Sequence, residues 1–565
     1  MAHDLLEGRD VVQMLIVGIK PGHDGTLAAI RDGELLVSLE AEKDSFSRYS
    51  AVTSATLLEF AEHVGALPDV VAFGGWGSHP LLRHRVVGAG YRGTDAGSHH
   101  TARFFGKQIQ YFTSTHERSH IMSAIGMAPR ISGSPQAVLV WEGRIGGFYL
   151  IDERFNILKK IHVLDSPGLK YSFLYDLADP KPHHHFPHPE NAGKLMALAA
   201  YGKAPDADDG IRATVDRIMG ITAWGPQTKL GMADSPLFNA GLRSTALATA
   251  AALLTERVFQ LFADAAVSLL PAGLALRISG GCGLNCEWNR GWRELGHFSS
   301  VFVPPCANDS GSAIGTAVDA QTTFTGDPYI SWDVYRGIPL ARDVEPDSTR
   351  WRRAAADHGA VADSLAAGRV VAWVQDRSEI GPRALGNRSL LAEPFRAATA
   401  RRLNEIKQRE DYRPIAPCCR IEDTSRVFDD PSPDPYMLYF RYVRDPALAA
   451  VTHVDGTARA QTVSPADNPK LHALLTAFAQ RTGLGVLCNT SLNFKGCGFI
   501  NRVSDLMHYC ETRGIDDVVI GDAWYQRCTG TDGADAGAAE AAACGLELAT
   551  PDGSQQAARP ARQVS

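Results

Sequence analysis

The stretch MLIVGIKPGHDGTLAAIRDGELLVSLE (14–40) constrains the fold most. An apolar run rich in branched residues leads into a tight turn. A second apolar run follows, then Asp-Gly, then a third, which reads as strand, hairpin turn, strand. The segment AVLVWEGRIGGFYLIDERFNIL (137–158) repeats the device. Helical patterns follow each set, including NAGKLMALAAYG (191–202) and a long Ala/Leu-rich stretch (244–270). Strand hairpins followed by helices, occurring twice, predict two related α/β halves around a cleft. The pattern weakens over 326–352, where Pro, Asp and Trp cluster, and a second unit starts near VVAWVQDRSEIGPRALG. The expected organisation is an N-terminal extension (1–13), a first unit (14–345), a second (346–528) and a low-complexity, disordered Ala/Gly-rich tail (529–565).

With 565 residues the chain has room for more than one domain. A net charge of −7 and a pI of about 6.3 offer no footprint for nucleic acid or an anionic membrane. Of the ten cysteines none falls in the first 281 residues, and no C-x-x-C pair occurs. They read as free thiols of a reducing cytoplasm. The start of the chain lacks a signal-peptide apolar region, and no run of 18 apolar residues occurs, so neither a leader nor a membrane span is expected.

The segment TSTHERSH (113–120) holds a literal H-E-x-x-H: His116, Glu117 and His120. Residues four apart stack on one face of a helix, so both imidazoles can reach one ion. A third ligand is required. Glu142 sits in a strand-and-turn pattern, whereas Asp309, in a Gly/Ser turn after an apolar strand, can point a carboxylate into a cleft. Two imidazoles and one carboxylate suit iron, manganese or zinc, with open positions for phosphate oxygens. A zinc peptidase with Glu117 as general base is one competing reading; a non-enzymatic, nucleotide-dependent binding module is another. The loop KPHHHFPHPEN carries His183, His184, His185 and His188 between prolines and reads as a rigid exposed or substrate-facing loop.

Four glycine-bearing segments, GHDG (22–25), NAGKLMALAAYG, SGGCGLN (279–285) and NDSGSAIG (308–315), offer bared amides or helix starts that suit a phosphate. In the second unit Arg383, Arg388, Lys407, Arg409, Arg413 and Arg459 lie beside Gly, Pro and small polar residues, with Asn489, Ser491 and Asn493 in CNTSLNFKG. Guanidiniums in such settings suit a multiply charged phosphate compound.

Together KPGHDGTLAAI, EAEKDSFSRYS, TSTHERSH, NAGKLMALAAYG, SGGCGLN, NDSGSAIG, GPRALGNRS, KQREDYRPIAP, DGTARAQTV and NTSLN resemble the carbamoyltransferase family of nodulation and antibiotic pathways over about 14–528, and most of all its hydroxymethylcephem branch. The resemblance implies a TsaD-like, actin-like (ASKHA) duplicated α/β domain followed by a YrdC-like α/β domain. It implies that carbamoyl phosphate and ATP with Mg2+ are converted to carbamoyladenylate, whose carbamoyl group passes to a small-molecule alcohol with release of AMP. His116, His120 and Asp309 match the family's iron ligands, with manganese or zinc as alternatives. His23 with Asp24 matches the turn beside the transferred group. Gly280, Gly281, Asn285, Gly311 and Ser312 match the adenylate turns. Lys407, Arg413, Arg383, Arg459 and Ser491 match the carbamoyl phosphate and ATP site, and Arg388 and Asn489 are placed with them. The loop EKDSFSRYS departs from the EERF form of many relatives. A monomer or homodimer is expected.

Overall fold

The computed structural model describes residues 14–75, 89–131, 133–181, 187–225 and 228–528. The expected N-terminal extension and tail, and His183–His185, lie outside the described residues.

The first sheet comprises β1 (Leu15–Lys20), β2 (Thr26–Arg31), β3 (Glu34–Glu40), β4 (Val70–Gly74), β5 (Ser98–Phe104) and β6 (Lys107–Ser114), in the order β3-β2-β1-β4-β6-β5. β1 to β3 pair antiparallel, and β1, β4 and β6 run parallel. The Asp-Gly turn between β2 and β3 has positive φ at both residues (50° and 82°), the conformation that matches strand twist. The second sheet comprises β7 (Gln136–Trp141), β8 (Gly146–Ile151), β9 (Ile157–His162), β10 (Ala275–Ser279) and β11 (Ser300–Phe302), in the order β9-β8-β7-β10-β11. Here too three strands pair antiparallel and the first continues into two parallel neighbours. The strand order is therefore duplicated, with β5 an added edge strand, in a mixed α/β architecture.

Eight helices belong to these halves: α1 (Ser54–Val64), α2 (His116–Gly126), α3 (Pro167–Ala178), α4 (Glu190–Ala199), α5 (Asp209–Met219), α6 (Thr245–Leu269), α7 (Cys286–Glu294) and α8 (Ser312–Thr325). α8 lies on β1, β2 and β4, α2 lies on β7 and β10, and the two helices pack against each other. One apolar core runs through this sandwich, with Ile16, Ala28, Ile121, Ile125, Val138, Ile314 and Ala317 among its members. Gly315 makes the approach possible: a Cβ there would lie 1.8 Å from the Ser119 carbonyl oxygen. By length and composition α6 would suffice to cross a membrane, yet 61% of its most apolar window is buried here. It packs on α3, α4 and α5 and serves as a core helix.

The C-terminal unit is built on an eight-stranded sheet: β12 (Trp351–Ala355), β13 (Val371–Val374), β14 (Arg388–Ala392), β15 (Ala416–Arg420), β18 (Gln461–Val463), β19 (Val486–Ser491), β20 (Asp517–Ile520) and β21 (Ala523–Arg527). β16 (Phe440–Tyr442) and β17 (Thr457–Arg459) form a separate ribbon. The loop after β3 clamps the two units. Asp44 bonds Arg502, Lys43 donates to the carbonyls of Glu379 and Gly381, and Ser47 bridges to Cys497.

Candidate functional site

Parallel strands present their carboxyl ends on one side of a sheet, and ligands of α/β folds bind there. Residues from the ends of β1, β6 and β10 and from the turn before α8 converge at that place. β6 ends at Ser114, and Thr115 caps α2 by accepting from the Arg118 N–H at 3.0 Å. The Arg118 guanidinium and the Ser114 hydroxyl both bond the buried Asp319 carboxylate of α8, which fixes the start of α2. His116 and His120 then share one helix face, their rings 4.6 Å apart. Asp309 reaches them from the turn after β11. Its Oδ1 lies 3.2 Å from His120 Nε2 and 3.6 Å from His116 Nε2.

Ligand atoms of His116, His120 and Asp309 all lie within 4.8 Å of one another, and both imidazoles are buried. Burial lowers the His116 pKa to about 3, so its imidazole is neutral and ready to ligate. The Asp309 carboxyl is held well below the usual range by Lys20 and the two histidines, against the opposing effect of burial. His120 Nδ1 meets Ser279 Oγ at 2.8 Å, which orients the ring from behind. Tyr91 stacks on His116 with centroids 4.5 Å apart, and its hydroxyl donates to the buried Glu142 carboxylate at 2.8 Å. The donor set thus fits a divalent transition ion.

Glu117 does not join the metal cluster. Its carboxylate accepts from the Gly93 N–H at 2.8 Å, from the Tyr149 hydroxyl and from the Lys160 ammonium. Tyr149 and Lys160 belong to β8 and β9, so the competing peptidase reading loses its general base: Glu117 anchors the loop that carries Tyr91.

His23 and Asp24 follow β1 beside Asp309, with ligand atoms of the three within 4.8 Å of one another. His23 stacks on Tyr49 at 4.8 Å and remains about one-third exposed (35%). Burial lowers its pKa, with Asp309 opposing. Asp24 moves the other way, up to about 7, because it is buried and faces Asp309.

Gly280 and Gly281 begin where β10 ends. Gly280 has φ 100°, and a Cβ on it would lie 2.3 Å from the Trp141 carbonyl oxygen. Its N–H donates to Ala307 at 2.6 Å, tying this turn to the one bearing Asp309, Gly311 and Ser312. Asn285 is corrected in part. Its side-chain oxygen caps α7, accepting from the Glu287 and Trp288 N–H groups, and is committed to the helix.

The cations of the second unit form their own cluster. Lys407 Nζ donates to the Ser491 carbonyl at 2.5 Å, the Ser491 hydroxyl at 3.2 Å and the Asn493 side chain. Burial, then Arg409, Arg413 and Arg48, push its pKa well below the usual lysine range. Arg383 falls to about 9 through burial, then Arg459, with Arg413 and Arg48 adding to the fall. Arg409 also falls to about 9, through burial, Arg413 and Arg459. Arg383 donates to the Leu284 carbonyl at 3.1 Å, in the turn that Gly280 opens, so this cluster adjoins the first unit. Like charges are gathered here out of water, an arrangement that an anion relieves.

Two expected residues stand elsewhere. Arg388 is fully buried, and its guanidinium donates to the carbonyls of Gln375, Asp376 and Asn387 and to the Asn501 side chain. It braces the start of β14 and does not reach the cation cluster. Asn489 donates to the Ala384 carbonyl and the Gln461 side chain, and so holds the loop that carries Arg383.

Arg48 and Lys20 were missed from the sequence. Arg48 comes from the clamped loop of the first unit and faces the cations of the second. Its setting among Ser and Tyr, in SFSRYS, is the signal used for the other arginines.

The family model for the carbamoyltransferase N-terminus matches residues 97–318, and that for the carbamoyltransferase C-terminus matches 362–527. A 3'-hydroxymethylcephem-O-carbamoyltransferase from Amycolatopsis lactamdurans is 58% identical, covering 92% of this chain and 100% of its own length. The protein of that name from Streptomyces clavuligerus is also 58% identical over 92% of this chain and its full length. Nodulation protein U of Sinorhizobium fredii is 30% identical, covering 92% of this chain and all of its own length.

Proposed function

The chain belongs to the carbamoyltransferase family and is a carbamoyltransferase; from that premise we propose that it is an ATP-dependent O-carbamoyltransferase of natural-product biosynthesis whose acceptor is a hydroxymethylcephem alcohol. The observation that carries the two-step reading is the cluster of Lys407, Arg383, Arg409, Arg413 and Arg459, several of them strained by burial and mutual repulsion, adjoining the turn opened by Gly280. Such a cluster suits carbamoyl phosphate and the phosphates of ATP. There, in a YrdC-like unit, water would cleave the phosphate from carbamoyl phosphate, and the carbamate so formed would attack the α-phosphorus of ATP, giving carbamoyladenylate as pyrophosphate leaves.

Transfer then takes place at the first unit. The turns at Gly280–Gly281 and Gly311–Ser312 offer the adenylate phosphate close backbone approach. His116, His120 and Asp309 would hold iron, or manganese or zinc in its place; the ion would supply positive charge for the phosphate that leaves as AMP. The acceptor hydroxyl attacks the carbamoyl carbon, and its proton passes to the His23 imidazole, which its lowered pKa keeps neutral at pH 7. Arg48 acts on both the Asp24 carboxylate and Lys407 of the second unit, consistent with handing over an easily hydrolysed intermediate without release. The acceptor assignment is supported by 58% identity to two hydroxymethylcephem carbamoyltransferases along their whole length.

The test is mass spectrometry of the full chain incubated with ATP, carbamoyl phosphate and a panel of alcohols. A carbamoylated hydroxymethylcephem, formed with AMP only when both donors are present, is expected. AMP formation that does not depend on carbamoyl phosphate would refute the two-step reading, and preference for a sugar or macrolide alcohol would refute the acceptor.

A further inference from the structure

Two ligand triads overlap at one carboxylate. His116, His120 and Asp309 form one, and His23, Asp24 and Asp309 form the other, each with ligand atoms within 4.8 Å of one another. A carboxylate shared between two such sets is the layout of a two-ion centre, in which paired ions sit about 3.5–4 Å apart. A lysine stands at the junction. Lys20, the last residue of β1, is 1% exposed, and its Nζ lies 3.2 Å from Asp309 Oδ2. Asp309 Oδ1, on the other side, faces the two imidazoles. A second ion bound between His23, Asp24 and Asp309 would have to share Asp309 with an ammonium already at contact distance. The Lys20 charge also acts on His23, Asp24 and His116, which places it within reach of both triads.

We propose that Lys20 is a built-in cation that occupies the second metal position, making the centre mononuclear and turning Asp309 Oδ1 toward the histidine pair. The ammonium offsets the Asp309 carboxylate as an ion would, and its charge also acts on Asp24. Unlike an ion, it does not take the His23 imidazole as a ligand, and so it reserves that ring for proton transfer. An ammonium on a strand end fixed by β-pairing is also permanent, whereas an ion there would depend on supply. Lys20 is in this sense a positioning residue: it acts through Asp309 and His23. The inference rests on the metal reading of His116, His120 and Asp309, and goes beyond it.

The test titrates chelator-treated full-length protein with Mn2+, following stoichiometry by elemental analysis and ion–ion coupling by electron paramagnetic resonance. Wild type is expected to bind one ion with the spectrum of an isolated centre. Lys20→Ala should bind a second ion, with a spin-coupled spectrum, and Asp24→Asn added to it should abolish that second ion. Lys20→Arg should remain at one. If Lys20→Ala does not fold, Lys20→Gln keeps the length of the stem and serves in its place, and the wild-type arm stands regardless. Two coupled ions in wild type, or one ion of unchanged affinity after the lysine is removed, would overturn the inference. Binding of no ion by wild type would instead refute the metal reading on which it rests.

Discussion

Arg383 and Arg388 lie five residues apart, and replacing each by Met should shift stability in opposite directions. Both are arginines of depressed pKa, Arg383 at about 9 and Arg388 at about 10, from an ordinary 12.5. Both therefore remain charged at pH 7.5, so the unfavourable free energy of the charged form is present in full. For Arg383, burial comes first and three neighbouring arginines add to it, while its Nη2 has one hydrogen bond, to Leu284. A fall of that size corresponds to roughly 5 kcal/mol at about 1.4 kcal/mol per decade. Discounting for the part of the side chain still in contact with solvent, and for the lost bond and stem contacts, leaves a net gain of about 1–3 kcal/mol for Arg383→Met without ligand. At about 2–4 °C per kcal/mol for a unit of 150–250 residues, the melting midpoint should rise by several degrees. The stabilisation that carbamoyl phosphate or pyrophosphate gives to wild type should shrink in the same variant, because an anion has less charge to relieve. Arg388→Met should do the reverse. It leaves the Gln375 carbonyl and the Asn501 side-chain oxygen without the Arg388 donors that satisfy them, at a loss of about 3–5 kcal/mol. The assay is a thermal melt of each variant with and without 10-fold steps of pyrophosphate. A fall in stability for both variants, with the pyrophosphate shift of Arg383→Met equal to wild type, would refute the argument that Arg383 is held in readiness for an anion.

Other outcomes follow from the same geometry. Gly280→Ala should destabilise the chain by more than about 2 kcal/mol in a denaturant melt, since it combines a left-handed φ of 100° with a Cβ 2.3 Å from the Trp141 carbonyl. Glu117→Gln should leave carbamoyl transfer within roughly tenfold of wild type, because its carboxylate serves Gly93, Tyr149 and Lys160 and not the metal cluster; a loss of several thousandfold in kcat would show that it does the chemistry. Lys407 titrates well below the usual lysine range in the free protein, so an arriving phosphate should raise its pKa and draw in a proton. Calorimetry of pyrophosphate binding in buffers of different ionisation enthalpy should show proton uptake that grows with pH across the lysine's depressed titration range, and Lys407→Met should abolish that component.

Residues were legible in the sequence where local pattern decides their geometry. The Asp-Gly turn at 32–33 and the paired strand sets follow from turn chemistry and alternation, and the helical spacing of His116 and His120 puts them on one face in the structure as it does on paper. Asp309 was within reach of the same reasoning because a Gly/Ser turn after an apolar strand is a place where a carboxylate can point into a cleft. What failed was any judgement that depends on which backbone surrounds a side chain. Arg388 begins a fully buried strand, and the carbonyls it satisfies belong to the preceding loop, which no periodicity reveals. The family resemblance places Asn285 among the adenylate turns, but the helix that starts next needs its oxygen as a cap.

Lys20 and Arg48 show why some functional residues resist such reading altogether. Beside Pro-Gly, Lys20 looks like a solvated lysine at the end of a strand; its partner, Asp309, enters from the turn between β11 and α8, far away in sequence. The duplication itself creates that proximity. Because each half presents the carboxyl ends of its parallel strands to the same cleft, a residue just after β1 and a residue just after β11 are neighbours by symmetry of topology. Arg48 is placed by a different device. Its loop is held against the second unit by Lys43 on the Glu379 and Gly381 carbonyls and by Asp44 on Arg502, and Gly498 allows the contact, since a Cβ there would lie 2.1 Å from the Glu42 carbonyl oxygen. The clamp that joins the units therefore also brings a guanidinium near both the Asp24 turn and the second unit's cation cluster. Loosening the clamp should separate activation from transfer with both side-chain clusters intact: Asp44→Asn weakens only the ion pair with Arg502, so AMP formation that outruns carbamoylation of the acceptor would mark the intermediate escaping to water, and unchanged coupling of the two would show that the clamp has no part in the hand-over.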